Sequence, residues 1–403
     1  MPDAVIVATA RSPIGRAFKG SLVSLRPDDM AAQIVKAVLA KVPALDPGLV
    51  EDLILGNGQP AGEAGYNLAR VVALLSGLPA APGVTVNRYC SSSLQTIRMA
   101  AHAIMAGEGD VFVAAGVEAV SRFAQGMSDG MPDTHNPLFE KAEGRSAARA
   151  LGGAEPWSQA AGLADIYIAM GQTAENVRER EGVTRTEMDE FAARSQQRAV
   201  DSQHNGFFER EITPLVLADG TEVRVDDGPR PGTTVEKLAE LKPAFRPDGE
   251  VTAGNSCPLN DGAAAVIVMS DTKARDLGIA PLARIVSSGV TALNPEIMGL
   301  GPVEACRQAL ARAGMTIGDV DLVEINEAFA AQVVPSARHL RIDPDKLNVH
   351  GGAIALGHPF GMTGARIMAT LLNGLQAGDK AVGLESMCVG GGQGMAMVVE
   401  RLG

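Results

Sequence analysis

Aromatic side chains make up only 3% of these 403 residues, and only four cysteines are present. Basic residues are outnumbered by acidic ones, 35 to 47, leaving a formal net charge of −12. That balance disfavours nucleic acid and anionic membrane as partners. An anionic ligand would need a local basic patch set against this background. No stretch approaches the ~18 consecutive apolar residues of a membrane span, so none is expected. The N-terminal "MPDAVIVATARSPIG" has too short an apolar run for a secretion signal, and Arg11 interrupts it. The C-terminal "VVERLG" carries no address signal. The cysteines, Cys90, Cys257, Cys306 and Cys388, are far apart and form no CxxC pair. Neither a zinc site nor a disulfide framework is expected, and a reduced, cytoplasmic setting is the default. No metal and no permanently bound cofactor is implied.

Gly and Ala are abundant, which suits helices packed tightly on sheets. Two long segments share one plan. The first runs from "AVIVATARSP" through "VEDLILGNGQPAG" to "VTVNRYCSSSLQTIRMAAHAIMAGEGDVFVAAGVE". The second runs from "LARIVSSGV" through "VDLVEINEAFAAQ" to "LNVHGGAIALGHPFGMTGARIMATLLNGLQAGDKAVGLES". Each reads strand, helix, strand, polar turn, strand, helix, strand, and such alternation predicts α/β layers. With the halves offset by about 270 residues, a domain-sized repeat, Cys90 falls opposite the loop of His358 and Asn57 opposite Asn326. The predicted units are an N-terminal half over 1–121, completed by about 252–271, an insertion over 122–251, and a C-terminal half over 272–403. The insertion holds the only tryptophan, Trp157, and eight of the fourteen aromatics. It is polar and turn-rich, with one clear helix, "TRTEMDEFAARSQQRAV". Thr184 and Glu187 predict a capping box there, and Met188, Phe191, Ala192 and Ser195 its buried face. An excursion of this length suits a lid or a ligand-binding loop domain.

Cys90 stands where a strand stops and a helix starts. Leu94, Ile97, Ala101, Ile104 and Met105 recur at helical spacing, and the serines before them suit an N-cap. Free N–H groups and the helix dipole at such a start predict a lowered thiol pKa and an accessible thiolate. Cys388 lies in "ESMCVGGGQG", where Gly390 to Gly392 permit close backbone approach to a ligand. His358 is held in "GHPFG" between Gly357 and Pro359; His350, in "NVHGG", is the competing base. Asn326 ends an apolar strand and suits either an amide donor to an oxyanion or the N-cap of the helix "EAFAAQVV". Cys306, in "VEACRQALARAG", reads as a core residue. Thiol nucleophile, histidine base, second thiol and amide donors at strand ends describe acyl transfer through a thioester.

Over essentially its whole length the sequence resembles the thiolases, with "NRYCSSSL", "MGQTAENV", "TAGNSCPLNDGAA", "NEAFA", "GGAIALGHPFGMTGAR" and "CVGGG" in the family's order. The resemblance implies an αβαβα fold of two similar halves plus a loop domain. It implies reversible thiolysis of 3-oxoacyl-CoA by CoA as co-substrate, acyl-CoA as substrate partner, and a homodimer or homotetramer. It assigns Cys90 as the acylated nucleophile and His358 as its base. Asn326, through water, shares the thioester oxygen with His358. Cys388 is the acid/base at carbon or at the second thiol, and the N–H groups of Cys90 and Gly390 form a second oxyanion site. Arg230 matches the arginine near the CoA adenine and phosphates, with Lys237 and Lys242 nearby. Ala169 and Cys257 replace the polar residues usual in short-chain biosynthetic members, and Ser93 replaces a glycine. The Ala169 and Cys257 departures point to a degradative 3-ketoacyl-CoA thiolase of fatty-acid β-oxidation, with Met170 and Met298 adapting to the acyl chain. The alternatives are an acetoacetyl-CoA-specific enzyme, a decarboxylating ketoacyl synthase and a non-enzymatic lipid carrier.

Overall fold

The computed structural model describes residues 2–153 and 155–403. The first half builds β1 (Ala4–Arg11), β2 (Gly15–Arg16), α1 (Pro27–Ala40), β3 (Asp52–Gly56), α2 (Leu68–Leu75), β4 (Gly83–Val86), α3 (Ser92–Ala106) and β5 (Val111–Ala119). The insertion carries α4 (Glu140–Ala150), α5 (Met170–Glu181), α6 (Arg185–His204), the ribbon β6 (Leu215–Val216) and β7 (Glu222–Val223), and α7 (Val235–Ala239). The chain returns as β8 (Asn260–Ser270) and α8 (Asp271–Asp276). The second half follows with β9 (Ala283–Ala292), α9 (Gly301–Ala313), β10 (Leu322–Ile325), α10 (Ala330–Leu340), α11 (Ala353–Leu356), α12 (Thr363–Ala377), β11 (Val382–Val389) and β12 (Gln393–Arg401).

The strands lie in the order β4-β3-β5-β8-β1-β9-β12-β11-β10. β1 and β9 pair only at Val5 with Arg284 and Ile6 with Ala283, so a narrow joint links two similar sheets. In the first, β3 runs parallel to β4 and β5, and β8 fits antiparallel between β5 and β1. The second repeats the plan, except that the strand expected at "LNVH" is reduced to one bridge, Leu347 beside Val323. Asn348, at positive φ, turns the chain away there; its side chain donates to Ile325 O and accepts from Ile325 N, capping the short β10.

Three cores define five layers. Val111, Val113, Ala115 and Val117 of β5 face Ile34, Val35 and Val38 of α1 and Val72 of α2. The alternate residues Phe112 and Ala114 face Leu94 and Ile97 of α3 and Ile367 and Met368 of α12. Because both sheet faces are covered, β5 reads as an unbroken apolar run. On the far side, α9 and α10 cover the second sheet. The order is α1/α2, sheet, α3/α12, sheet, α9/α10.

Among its described residues the insertion holds four α-helices, where one is clear from the sequence. The α5 stretch "MGQTAENVRERE" escapes a periodicity reading because six of its seven buried residues, including Gln172, Thr173, Glu175 and Asn176, are polar or small. The Thr184–Glu187 capping box forms, and the expected face of α6 is buried. Met188, Phe191 and Ala192 join the core over α9 and α10, so the insertion packs as part of the second half. It is pinned to the first half by Arg11. That buried guanidinium bonds Glu211 at 2.7 Å and Asp226 at 2.8 and 3.0 Å. Fully buried pairs of this kind give little net stability but are costly to break singly.

Candidate active site

Parallel strands put their carboxyl ends on one edge, and both halves direct that edge to the same place. Cys90 follows β4 in a tight turn, Tyr89–Ser91, that runs directly into α3. Tyr89 has a φ of +43°, a region that costs an L-residue roughly 1–2 kcal/mol. Its N–H is held by Asn87 Oδ1 at 2.7 Å. The serines do not cap α3. Ser91 and Ser92 donate backwards to Arg88 O and Tyr89 O, and Ser92 Oγ accepts from Arg88 N at 2.9 Å, so they brace the turn. Cys90 is 8% exposed, and burial pushes its thiol up to about 11. N–H bonds from Gly390 and from Cys90 itself pull the other way and do not prevail. The expectation of an accessible thiolate is therefore corrected: desolvation outweighs the helix start, and the resting sulfur carries its proton.

His358 follows α11 in a buried loop whose backbone N–H donates to Asn260 Oδ1 at 3.0 Å. Its Nδ1 lies 2.6 Å from Thr363 Oγ, and the Thr363 hydroxyl donates to Pro359 O at 2.7 Å. With that hydroxyl proton committed, Nδ1 must be the protonated nitrogen and Nε2 the free base. Nε2 lies 3.3 Å from Asn326 Nδ2. Burial, with Arg366 adding, pushes the imidazole down to about 3, so it is neutral at rest, with Nε2 unprotonated. Thr363 was not singled out from the sequence; a hydroxyl five residues after the histidine, where a helix begins, is the signal for it.

Asn326 is buried and its Oδ1 has no partner. It is not an N-cap, because α10 starts at Ala330 after Phe329. Its carbonyl accepts from Gln332 Nε2 at 3.3 Å, and Gln332 Oε1 lies 3.8 Å from the Cys388 sulfur. Cys388 is fully buried opposite Gly394, and its thiol is pushed well up, by burial first and then by the charges of Cys90 and Cys257. Three thiols, Cys90, Cys257 and Cys388, thus lie within electrostatic reach of one another. Gly390 packs on the Tyr89 ring, and Gly391 and Gly392 take left-handed φ values. Cys306 is inert core.

His350 sits elsewhere. Its ring stacks on Phe207 at 3.5 Å, bonds Ser202 at 3.0 Å and touches Gly374. Gly374 is near the end of α12, roughly 16 Å along the helix from Thr363 at 1.5 Å per residue. The competing base is excluded by distance.

The basic segment lies close by. Gly228 packs against the carbonyls of Ala355 and Leu356, just before His358, and Arg230 N donates to Gln196 Oε1 at 2.8 Å. The Arg230 side chain has no carboxylate partner among the described residues, and Arg16 lies alongside it. Lys237 is exposed and its Nζ folds onto Gly232 O at 2.6 Å. Lys242 is exposed. Met170 opens α5 and Cys257 is held by Ala328 O at 3.0 Å, both partly buried. Met298 is only 1% exposed, inside the core over α9, so it lines no open surface in this state. Ser93 ties the halves together: its Oγ accepts from Ala365 N at 2.9 Å, in the first turn of α12.

No described helix is long and apolar enough to cross a membrane, and no three His, Cys, Asp or Glu residues among those described are grouped to hold a metal. Comparison with known proteins gives two family matches: "Thiolase, N-terminal domain" over residues 4–272 and "Thiolase, C-terminal domain" over residues 279–401. A 3-ketoacyl-CoA thiolase of Saccharophagus degradans is 44% identical, with 99% of this chain and 98% of the relative aligned. One of Bacillus subtilis is 42% identical over 99% and 100%. Among solved structures, the dimeric peroxisomal thiolase of Saccharomyces cerevisiae matches with a TM-score of 0.89 and 36% identity, over 100% of this chain and 98% of that one. The acetyl-CoA acetyltransferase of Bacillus anthracis matches with a TM-score of 0.86 and 38% identity, over 100% and 99%.

Proposed function

The chain belongs to the thiolase family, and from that premise we propose a degradative 3-ketoacyl-CoA thiolase working through two thiols. The activity is that of an acetyl-CoA C-acyltransferase. The observation that carries the mechanism is the neutral His358 imidazole, its Nε2 unprotonated and accepting from Asn326 Nδ2, together with two buried, protonated thiols from different halves within electrostatic reach of each other.

In thiolysis the Cys90 proton passes to His358 Nε2 as the sulfur attacks C3 of the 3-oxoacyl-CoA. The C3 oxygen takes up charge facing N–H donors. The C2–C3 bond then breaks, leaving the acyl group on Cys90, and the electron pair at C2 takes the Cys388 proton to give acetyl-CoA. Free CoA enters, gives its thiol proton to Cys388, and displaces Cys90 from the acyl carbon; the leaving Cys90 thiolate takes back the proton held on His358 Nε2. The N–H groups of Cys90 and Gly390 serve one oxyanion. His358 and Asn326 serve the other; the unpartnered Asn326 Oδ1 leaves that amide able to hold a water. Because burial holds both thiols protonated, each proton transfer must be coupled to substrate contact.

Arg230 and the adjacent Arg16 supply the unpaired positive charge that a CoA phosphate needs in an acidic protein. The loop domain over 122–251 is the CoA-binding excursion, with Met170 and Cys257 bordering the acyl site. A cytoplasmic role in fatty-acid β-oxidation follows from the degradative reading. A homodimer is supported by the free edge of β4, where Val84 is 37% exposed, and by the dimeric yeast relative. The alternative assembly is a tetramer. A panel of 3-oxoacyl-CoA substrates of increasing length tests the reading. Turnover of medium and long chains is expected; turnover of acetoacetyl-CoA alone would replace it with the short-chain alternative.

A further inference from the structure

Glu118, at the end of β5, is 1% exposed and takes no part in the chemistry above. Its Oε2 accepts from Gly58 N at 2.8 Å and from Gly361 N at 2.9 Å, and its Oε1 from Asn57 Nδ2 at 3.3 Å. Gly58 and Asn57 follow β3 in the N-terminal half. Gly361 lies three residues after His358, in the loop contributed by the C-terminal half. The other close approaches to Gly361 are from backbone atoms. A Cβ on Gly361 would run into Val117 O and Gly56 O, and one on Gly116 into Gly361 O. Such smooth surfaces fit closely but do not lock a loop in register. Side chains do: Asn260, which holds His358 N, Glu118, which holds Gly361 N within the loop, and Ser93, which holds Ala365 N where α12 begins.

We infer that Glu118 is a positioning residue, clamping the His358 loop onto the strand ends of the other half so that the imidazole is held at the Cys90 thiol. The inference rests on the two-thiol reading of this site. Burying a carboxyl at this depth is costly without donors. Three of them converge here, from two segments about 300 residues apart in sequence, a separation no local turn could bridge. Asn57 completes the argument. Its Nδ2 donates to Glu118 and to Val117 O, while its Oδ1 has no partner among the described residues.

That orphan acceptor makes Glu118→Gln an informative variant. The glutamine carbonyl keeps both glycine N–H bonds, and its amide donates to Asn57 Oδ1 once the asparagine amide turns over, which gives up only the Asn57 Nδ2 bond to Val117 O. The clamp survives without the charge. Glu118→Ala removes it, and Glu118→Asp keeps the charge but falls short of reaching both glycines. A misplacement of about 1 Å in a reacting group costs on the order of 10²-fold. The expected result is kcat for thiolysis within about threefold of wild type for Gln, and down by that order for Ala and Asp. KM for CoA should stay within about twofold for all three, since the CoA contacts lie elsewhere.

The rate of Cys90 acylation from acyl-CoA, followed by peptide mass analysis, should fall in parallel with kcat. Wild-type kcat in the Ala or Asp variant overturns the inference. So does a Gln variant as impaired as Ala with an unchanged melting temperature, which would assign the effect to charge. If the Ala variant fails to fold, Gln against Asp decides by the same criterion. Absence of acyl-Cys90 in the wild-type enzyme would instead refute the two-thiol reading, and is measured first.

Discussion

Replacing Cys388 by alanine isolates proton transfer from thioester formation. The side chain is fully buried on β11, so the variant loses one buried heavy atom and one weak contact to Gln332. That costs roughly 1 kcal/mol of folding stability. A general acid–base group contributes about 10²–10⁴-fold, or about 2.7–5.4 kcal/mol of barrier at 1.36 kcal/mol per factor of ten. The catalytic loss therefore exceeds the folding loss and is not explained by it. Cys90, His358 and the N–H donors remain, so acylation from a simple acyl-CoA, which breaks no carbon–carbon bond, should persist. The assay is a pair on one preparation: intact-mass detection of the Cys90 acyl adduct, and thiolysis of a 3-oxoacyl-CoA. Expected is an adduct together with thiolysis reduced by two to four orders of magnitude. Thiolysis near the wild-type rate would refute the two-thiol mechanism. His350 could not then inherit the proton, being roughly 16 Å away along α12. Cys257, within electrostatic reach of both other thiols, would become the next group to test. As a control, Cys257→Ser should keep carbon–carbon cleavage within about tenfold, a hydroxyl filling most of the thiol's space.

Cys90→Ala should abolish both acylation and thiolysis, and the acyl group in the wild type should map to Cys90; an adduct only on Cys388 reverses the roles. Because burial holds the Cys90 thiol near 11, alkylation of the free enzyme by iodoacetamide should climb through the alkaline range rather than level off near neutrality. Arg230→Glu should raise KM for CoA by about tenfold with kcat little changed, since the contact is remote from the reacting atoms; an unchanged KM removes Arg230 from the CoA site. His350→Gln should leave turnover intact and improve acid tolerance. Burial lowers His350 to about 4 in the folded state, against about 6.5 unfolded. Below pH ~6.5 the unfolded chain takes up a proton that the folded chain refuses, so this group's stabilisation is lost as pH falls toward 4. Urea midpoints at pH 5 and pH 8 test this: the variant should lose less on going from 8 to 5 than the wild type.

The sequence by itself determined the duplicated α/β plan. Periodicity, the two matching helix ends and the strand-end positions of Cys90, Asn326 and Cys388 are local properties, and local properties survive in a linear reading. It also determined the capping box at Thr184 and Glu187, where both partners lie within one helical turn. Tertiary structure alone decided the electrostatics. A helix start argues for a low thiol pKa at Cys90, yet the layers that close around the turn desolvate it, and burial wins. No spacing rule could reveal that Gln332 reaches Cys388 or that Ser93 anchors α12. His350 and His358 look alike as residues in glycine-rich segments. They differ because α12 carries one to the convergence of the two halves and leaves the other against Phe207. The polar helix α5 was hidden for the same reason. Its buried face bonds to partners distant in the chain, such as Phe245 O and Glu296 O, and only the assembled fold supplies them.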